Sequence, residues 1–370
     1  MKTFLFLLFC AFILRSPYTF SQNDESIPSL VHFSDGIHHW NLTHKNRIYK
    51  RYTPNQYREI ADNLIAYQNK DGGWPKNIDW LGILNTDSVY ATLKESYKKS
   101  TLDNRNTFPQ IRYLAQVYLF TRNEKYRKSA EKGLNYLLTT QKENGGWRGW
   151  DVDAITFNDD VTTGATELLR DIVQRDSSFA WLNSEIRERV AIAYKKAIEV
   201  ILKCQIVQNG KKTAWGQQHD NKTYEPVKAR SYELPGITAK ESSEIVLLLM
   251  GIQHPSPEIT QAVIDAVSWF NTVKLKEIGL KKVKLEKKHV INQEYPYDLV
   301  VIKQRNAKPI WARYYELSDN KPFMATRAGI KVEKLSDVNP ERRTGYEWYG
   351  YWPETVLKKY PDWLKDLPNK

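Results

Sequence analysis

The spacing of apolar residues along the chain predicts a mostly helical protein. After Thr107 and Pro109, which are typical of a helix cap and a first helical turn, apolar residues recur every three or four positions. This stripe, which we expect to be buried, comprises Ile111, Leu114, Ala115, Tyr118 and Leu119. The same spacing occurs in residues 161–174, 186–205, 240–250 and 258–272. Because the alternation typical of strands is scarce, we predict helices joined by long loops, with a few short strands.

A short motif recurs where predicted helices end. Residues 68–74 are QNKDGGW, residues 141–147 are QKENGGW, and a weaker third copy begins at Gln205 and ends at Trp215. The tryptophans are 73 and 68 residues apart, which leaves room for two helices and their loops in each unit. Since one helix pair cannot bury its own apolar face, the repeat predicts a partial (α/α) toroid of about three helix pairs.

The first 21 residues have the pattern of a signal peptide. Lys2 precedes an apolar run over residues 4–14, and a polar stretch follows that ends at Ser21. The run is too short to span a bilayer, so we expect cleavage, a secreted or periplasmic protein and no stable membrane insertion afterwards. Cys10 lies inside the run and leaves lipoprotein anchoring as an alternative. The mature chain would keep Cys204, which we expect to be buried and without a disulfide partner.

After the signal peptide, the sequence divides into a short arm and one large domain. Residues 22–50 are polar and aperiodic, and their four histidines have a spacing that fits no common zinc site. We therefore predict an irregular N-terminal arm over residues 22–50. Residues 51–370 would form one catalytic toroid domain, which we expect to be monomeric.

The chain is basic, with a formal net charge of +12 that falls to +10 when Lys2 and Arg15 leave with the signal peptide. Such a charge suits nucleic acid, an anionic polysaccharide or an anionic surface, and export argues against nucleic acid. Part of the excess comes from the lysine-rich residues 274–288, which are more simply a solvated face. Charge alone is therefore weak support for an acidic substrate.

The densest group of polar and ionisable residues lies in one stretch, residues 213–236. Pro226 and Pro235 interrupt any helix there, so we predict a long loop, and long loops inside compact domains usually serve a function. Its residues that could bind sugars or move protons are Trp215, Gln217, Gln218, His219, Asp220, Arg230, Tyr232 and Glu233.

Two parts of this loop, AWGQQHD and ARSYELP, resemble the family 10 pectate lyases. Further stretches match in the family's order from about residue 60 to residue 353: QNKDGGWPKNID, STLDN, ENGGW, ITFNDD, KESSEIVLLLM, WARYYEL and ERRTGYEWYG. The resemblance implies a pectate lyase that cleaves polygalacturonate by Ca²⁺-assisted β-elimination and leaves 4,5-unsaturated oligogalacturonates. An acidic polysaccharide would then be its partner.

Elimination from a uronate requires a cation on the carboxylate, a base for the C5 proton and departure of the C4 oxygen. Ca²⁺ prefers oxygen ligands, and Asp103, Asp159 and Asp160 each lie where a loop enters a predicted helix. The resemblance implies that Asp103 and Asp160 are the active-site aspartates, with the choice between Asp159 and Asp160 open. Helix capping is an alternative role for each of them.

Arg230 corresponds to the family's proposed base. A guanidinium is normally charged, so this role would need neighbouring cations that favour its neutral form. Electrostatic stabilisation by Arg230 is the more conservative interpretation, and Lys228, His219 or Tyr232 would then be alternative bases.

The resemblance also implies that Arg313 and Arg327 bind substrate, since guanidinium groups suit uronate carboxylates. Lys228 and His219 are further candidates for substrate contact. A final group of candidates could stack on sugar rings or pack in the core: Trp74, Trp147 and Trp215.

The sequence departs from the family at two positions. Trp147 is followed by Arg148 and Gly149 where the family commonly has Pro-Gln, and Ala328 follows Arg327 where it commonly has Asp. The decoration of the substrate is therefore open. Two alternatives remain: a glycoside hydrolase that uses Asp103 and Asp160 as paired carboxylates, and a uronan-binding protein without catalysis.

Overall fold

The structure, a computed structural model, describes residues 27–43, 50–83, 99–286 and 295–367. The predicted signal peptide and Cys10 lie outside the described residues. Most of the described chain that is regular is helical, as predicted. The α-helices are α1 (Ser34–Thr43), α2 (Tyr57–Tyr67), α3 (Phe108–Thr121), α4 (Glu124–Thr140), α5 (Val161–Val173), α6 (Ser184–Lys203), α7 (Ala239–Met250), α8 (Pro257–Val273), α9 (Pro340–Gly345) and α10 (Trp352–Lys365).

The helices are arranged in two layers. Helix α3 packs on α4, α5 on α6, and α7 on α8, which gives three consecutive pairs. The first members, α3, α5 and α7, also contact one another in series, and α2, α4, α6 and α8 form a second series beside them. Helix α10 packs against α7 and α8. This alternation supports the predicted partial toroid of helix pairs.

The repeated motif forms the turns that join one helix pair to the next. In each copy the glutamine side chain donates one hydrogen bond to a carbonyl of its own turn and another to a carbonyl of the following helix in the second series. The bonds between helices run from Gln68 to Ser129 O (2.9 Å), from Gln141 to Ala193 O (2.8 Å) and from Gln205 to Ala262 O (3.0 Å). The glutamines thus fix the spacing of α2, α4, α6 and α8.

The tryptophan of each repeat belongs to the core. Trp74, Trp147 and Trp215 are at most 1% exposed, and each indole donates to a carbonyl of the preceding helix at 2.7 to 2.9 Å. A buried ring that has its N–H satisfied presents no face to a sugar. This burial argues against the predicted stacking of the three rings on substrate, although Trp147 also contributes to the wall of a second cavity.

The strands are short, as predicted, apart from one hairpin. They are β1 (Ile155–Thr156), β2 (Val207–Gln208), β3 (Lys211–Lys212), β4 (Gln218–His219), β5 (Ile237–Thr238), β6 (Ile278–Lys284), β7 (Tyr297–Lys303), β8 (Trp311–Ala312), β9 (Tyr314–Tyr315), β10 (Pro322–Ala325), β11 (Lys331–Val332) and β12 (Tyr349–Gly350). The antiparallel hairpin β6–β7 pairs Ile278 with Lys303 and Lys284 with Tyr297. The largest sheet has the order β11-β10-β9-β5, and its strand β5 leads into α7. The C-terminal region is thereby joined to the helices.

The segment 22–50 is not irregular throughout. Residues Val31–Phe33 form a 3₁₀ turn that continues into α1. Phe33 and Trp40 are 2% and 1% exposed and pack in the same core as α2 and α3. The prediction of an irregular arm is thus wrong for these residues, because two aromatic side chains anchor the helix to the core.

Cys204 is buried, as expected. In the described part of the chain no helix is long and apolar enough to cross a bilayer.

Candidate active site

Loops that follow the tryptophan turns, the 213–236 loop, the C-terminal region and α1 together enclose a cavity of about 960 Å³. Its wall is strongly polar and carries charges of both signs. The basic residues of the wall are Lys76, Arg230, Lys240, Arg313, Arg327 and Arg342, and the acidic ones are Asp35, Asp103, Asp151, Asp159 and Glu347. Five of the eleven predicted site residues are therefore brought together here, namely Asp103, Asp159, Arg230, Arg313 and Arg327.

Asp103 is held in this cavity by a constrained loop. The next residues, Asn104 and Arg105, have φ angles of 55° and 52°, which residues other than glycine seldom adopt. The buried Asn106 side chain fixes the loop by donating to the carbonyls of Trp74 (2.7 Å) and Thr101 (2.9 Å). The strained backbone at Asp103 is thus stabilised by the first tryptophan turn.

The charge of Asp103 is only partly compensated. Asp103 is 6% exposed, and Lys76 Nζ lies 2.5 Å from its Oδ2. Burial and the negative charge of Asp159 raise the pKa of Asp103 to about 6, although Lys76 opposes this shift. A further cation in the cavity would therefore stabilise the ionised Asp103.

The two neighbouring aspartates point to different cavities. Asp159 lies in the wall of the cavity with Asp103, and it accepts a 2.8 Å hydrogen bond from Asn158. Asp160 lies in a separate cavity, where Arg105 Nε is 2.7 Å from its Oδ2 and Glu244 is close by. The structure thus separates Asp160 from Asp103, which does not support the predicted catalytic and metal-binding roles of Asp160, and Asp159 is the aspartate of the pair that lies in the same wall as Asp103.

Arg230 is positioned by a carboxylate from its own loop. Its guanidinium contacts Glu233, which is 1% exposed, and its Nε lies 3.8 Å from Asp151 Oδ2. Burial alone would lower the pKa of Arg230, but the hydrogen bond and charge of Glu233 outweigh burial and raise it. The expectation that nearby cations favour neutral Arg230 is wrong for this arrangement, because its nearest charged partner is an acid.

Arg313 lies deeper in the wall and is paired. It is 4% exposed, and its guanidinium donates to Glu241 at 2.6 Å and to Asn158 at 3.0 Å. Burial would lower the pKa of Arg313, and the Glu241 carboxylate more than offsets this and raises it. Gln217 joins the same network by donating to Glu241 at 2.9 Å. Direct contact between Arg313 and a uronate stays a prediction.

Arg327 and Tyr232 lie in the cavity wall, whereas Lys228 does not. The Arg327 side chain is 57% exposed and donates to Glu341 at 2.8 Å, so it lies at the outer rim. Tyr232 is 7% exposed and its ring lies 5.2 Å from the Arg230 guanidinium carbon. Lys228 is exposed, and the lining of the described cavity does not include it. Its predicted contact with substrate is therefore not supported by its position.

His219 is a structural residue. It is fully buried; its Nε2 accepts from Gly216 N at 3.0 Å and its Nδ1 donates to Tyr224 O at 2.7 Å. Burial lowers its pKa to about 4. Since both ring nitrogens are used inside the loop, the predicted roles of His219 in substrate binding and as an alternative base are wrong.

Several residues of the wall were missed by the sequence analysis. Lys76 and Asn77 follow the first tryptophan turn directly, and that position was the available signal for them. Asp35 and His38 come from α1, which the aperiodic pattern of residues 22–50 concealed. Lys240, at the start of α7, is the first residue of the family-like stretch KESSEIVLLLM, which was the available signal for it.

The carboxylates in the cavity wall supply some, but not all, of the oxygen ligands that a calcium ion needs. Asp103 and Asp159 both face it, and Asp151 lies in the same wall. Carboxylate oxygens are the ligands that Ca²⁺ prefers. Within the described ranges, however, no three acidic, histidine or cysteine side chains are grouped closely enough to hold a metal ion. A calcium ion would therefore need further oxygens from substrate and water.

Comparisons with known proteins agree with this geometry. A family model described as pectic acid lyase matches residues 68–357. A family 10 polysaccharide lyase from Cellvibrio cellulosa has a similar structure, with 29% identity and a TM-score of 0.68 over 85% of this chain and 96% of that one. An Asp-to-Ala mutant of such a lyase from the same organism, in complex with trigalacturonic acid, matches at 28% identity and a TM-score of 0.68, over 85% and 99% of the two chains. No curated protein sequence matches.

Proposed function

This chain belongs to the pectic acid lyase family, and we propose that it cleaves de-esterified pectin by β-elimination in the cavity around Asp103. One observation carries the proposal: Asp103 and Asp159 line the same cavity as Arg230 and Arg327. This places carboxylates that can hold a cation beside arginines that can bind uronate groups. The match of the fold to a lyase in complex with trigalacturonic acid supports this class of substrate.

Asp103 and Asp159 are the residues that would hold calcium, with Asp151 nearby. When bound, the ion would draw electron density from the uronate carboxylate and so acidify the C5 proton. The raised pKa of Asp103 fits this role, because a buried carboxylate beside a second one is stabilised by a cation. Lys76 already contacts Asp103 and would continue to share its charge.

We assign electrostatic stabilisation to Arg230. Its contact with Glu233 keeps the guanidinium protonated, so it can donate to the negative charge that develops on the substrate. Glu233 is buried beneath it and holds its orientation. Arg327, at the rim, would bind the carboxylate of a neighbouring sugar, and Arg313 would support the inner wall of the cavity through its ion pair with Glu241. Of the alternative bases, Tyr232 lies in the same wall; as its phenolate it would take the C5 proton, and water would protonate the departing C4 oxygen.

We further propose that the enzyme acts as an exported monomer. The signal-peptide pattern of residues 1–21 supports export to the periplasm or the medium. A polymeric substrate that does not enter the cytoplasm agrees with such a location.

The test is absorbance near 235 nm with polygalacturonate, where an unsaturated uronate is expected to absorb. Purified protein should raise the absorbance, a chelator should abolish the increase, and Ca²⁺ should restore it. New reducing ends without this absorbance would indicate a hydrolase. Retention of polygalacturonate without either product would indicate a binding protein.

The hydrolase alternative is weakened by the position of its second carboxylate. A paired-carboxylate mechanism needs both acids at one glycosidic bond. Asp160 lies in a different cavity from Asp103 and pairs with Arg105. The geometry therefore favours elimination.

A further inference from the structure

A second cavity, of about 540 Å³, adjoins the proposed active site. Thr101 and Leu102 line it on one side, and Asp103 of the active site follows them directly. Trp150 lines it on the other side, and Asp151 of the active site is the next residue. Lys76 of the active-site wall lies over the Trp150 ring, 4.5 Å from its centre, so the two cavities lie next to each other.

The second cavity is lined by cations. Lys99, Lys142 and Arg148 contribute to its wall, and no acidic residue lines it among the residues described. Lys142 Nζ lies 2.6 Å from Asp153 Oδ1, but that carboxylate is 62% exposed, so solvent weakens the pairing. Arg148 donates from its Nε to Gly149 O at 3.1 Å, which leaves the end of the guanidinium for other partners. The cavity is therefore suited to an anionic group.

Trp150 gives the cavity an aromatic side. It is 38% exposed, in contrast to Trp147 three residues earlier, which is 1% exposed. Lys76 Nζ lies 4.5 Å from the centre of a Trp150 ring and also contacts Asp103. The Trp150 ring is thus held next to the active site through Lys76, with part of its surface accessible.

We infer that this cavity, lined by Lys99, Lys142, Arg148 and Trp150, binds an additional uronate residue of the polymer, beyond the sugars bound in the catalytic cavity. Trp150 packs against the sugar ring, and Arg148 with Lys142 binds its carboxylate. The inference rests on the proposed function, since it takes the same polyuronate as ligand. It predicts that long oligomers bind more tightly than trimers.

The experiment measures binding of heptagalacturonate and trigalacturonate by calorimetry, at one ionic strength and with a chelator present so that turnover does not interfere. Arg148→Gln and Lys142→Gln should each weaken heptagalacturonate binding on the order of tenfold, as expected for loss of a carboxylate contact. Binding of trigalacturonate should stay unchanged. Arg305→Gln is the matched control, because Arg305 is exposed on the β7 side and lines neither cavity.

Trp150→Ala provides a second variant, and it should weaken heptagalacturonate binding without lowering the Tm by more than a few degrees. Equal affinities of the unmodified protein for the two oligomers would overturn the inference. So would equal weakening of heptagalacturonate binding by Arg148→Gln and by the control. The outcome is separate from that of the proposed function, since binding is measured without turnover and the 235 nm assay tests cleavage.

Discussion

The first two copies of the Gln…Gly-Gly-Trp turn are alike up to the tryptophan and differ directly after it. Gly72 and Gly145 have φ angles of 95° and 98°, and a Cβ on either would lie 2.2 or 2.3 Å from a carbonyl oxygen of the helix ahead. Beyond Trp74 the chain supplies Lys76 to the active site, whereas beyond Trp147 it supplies Arg148 and Trp150 to the adjoining cavity. Equivalent turns thus present different side chains to two neighbouring cavities.

The third copy extends the comparison. After Trp215, Gln217 and His219 turn inward, and both are at most 3% exposed. Gln217 donates to Glu241, and both ring nitrogens of His219 bond within its own loop. Residues that repeat therefore hold the helices together, while the residues that follow them line the site or support it from below.

The largest expected effect is on kcat, and it should distinguish Asp103 in the active site from Asp160 in a separate cavity. Asp103→Asn should lower kcat about a thousandfold or more, because the cation in the cavity loses a ligand. Asp160→Asn should leave kcat within about tenfold, since its carboxylate faces Arg105 in another cavity. Turnover at 235 nm and the Tm of both variants provide the measurement. Equal losses in the two variants would contradict the division between the cavities.

Arg230 should give the next largest effect. Losing an electrostatic donor of this kind costs about 3–4 kcal/mol, so Arg230→Ala should lower kcat about a hundred- to thousandfold. Arg230→Lys should recover part of the loss because it keeps the charge. Both variants should still bind oligogalacturonate through the remaining arginines. Near-parental turnover by Arg230→Ala would remove the residue from the mechanism.

A variant of His219 tests whether the residues that follow Trp215 have a structural role. Its folded pKa of about 4 is below the value of 6.5 expected in the unfolded chain, so the unfolded state binds the proton first as the pH falls. Stability from neutral His219 is complete above about pH 6.5 and is lost progressively down to pH 4, by about 3 kcal/mol. His219→Gln should therefore flatten the fall in Tm over this range. A parallel pH dependence in the variant would assign the acid sensitivity to other groups.

The repeated glutamines should affect stability and leave the chemistry unchanged. Gln141→Ala leaves two carbonyls without their donor and should destabilise the fold by about 1–3 kcal/mol. Gln261→Ala, at an exposed position of α8, is the control and should change stability by less than about 0.5 kcal/mol. Denaturant unfolding measures both, and kcat should be unchanged. A loss of kcat in Gln141→Ala without a loss of stability would contradict the purely structural role of the repeated glutamines.

The sequence predicted the structural features that depend on residues close together in the chain. Apolar stripes and repeated turns identified the helices, since both are local patterns. The choice between Asp159 and Asp160 could not be made in this way. Adjacent residues with φ angles of 54° and 57° direct their side chains into different cavities, and Arg105 fixes one of them from a distant loop. Helix α1 was missed for a related reason, because its stability depends on packing by Phe33 and Trp40.

The glutamine that joins each turn to the helix ahead ends on a main-chain oxygen, at Ser129, Ala193 and Ala262. Every amino acid carries that oxygen, so the contact asks nothing of the side chain at Ala193 or Ala262, whereas the Ser129 hydroxyl also donates to the side-chain oxygen of Gln68. The spacing between successive units is thereby set by main-chain atoms, so it does not depend on which side chains cover the solvent side of these helices.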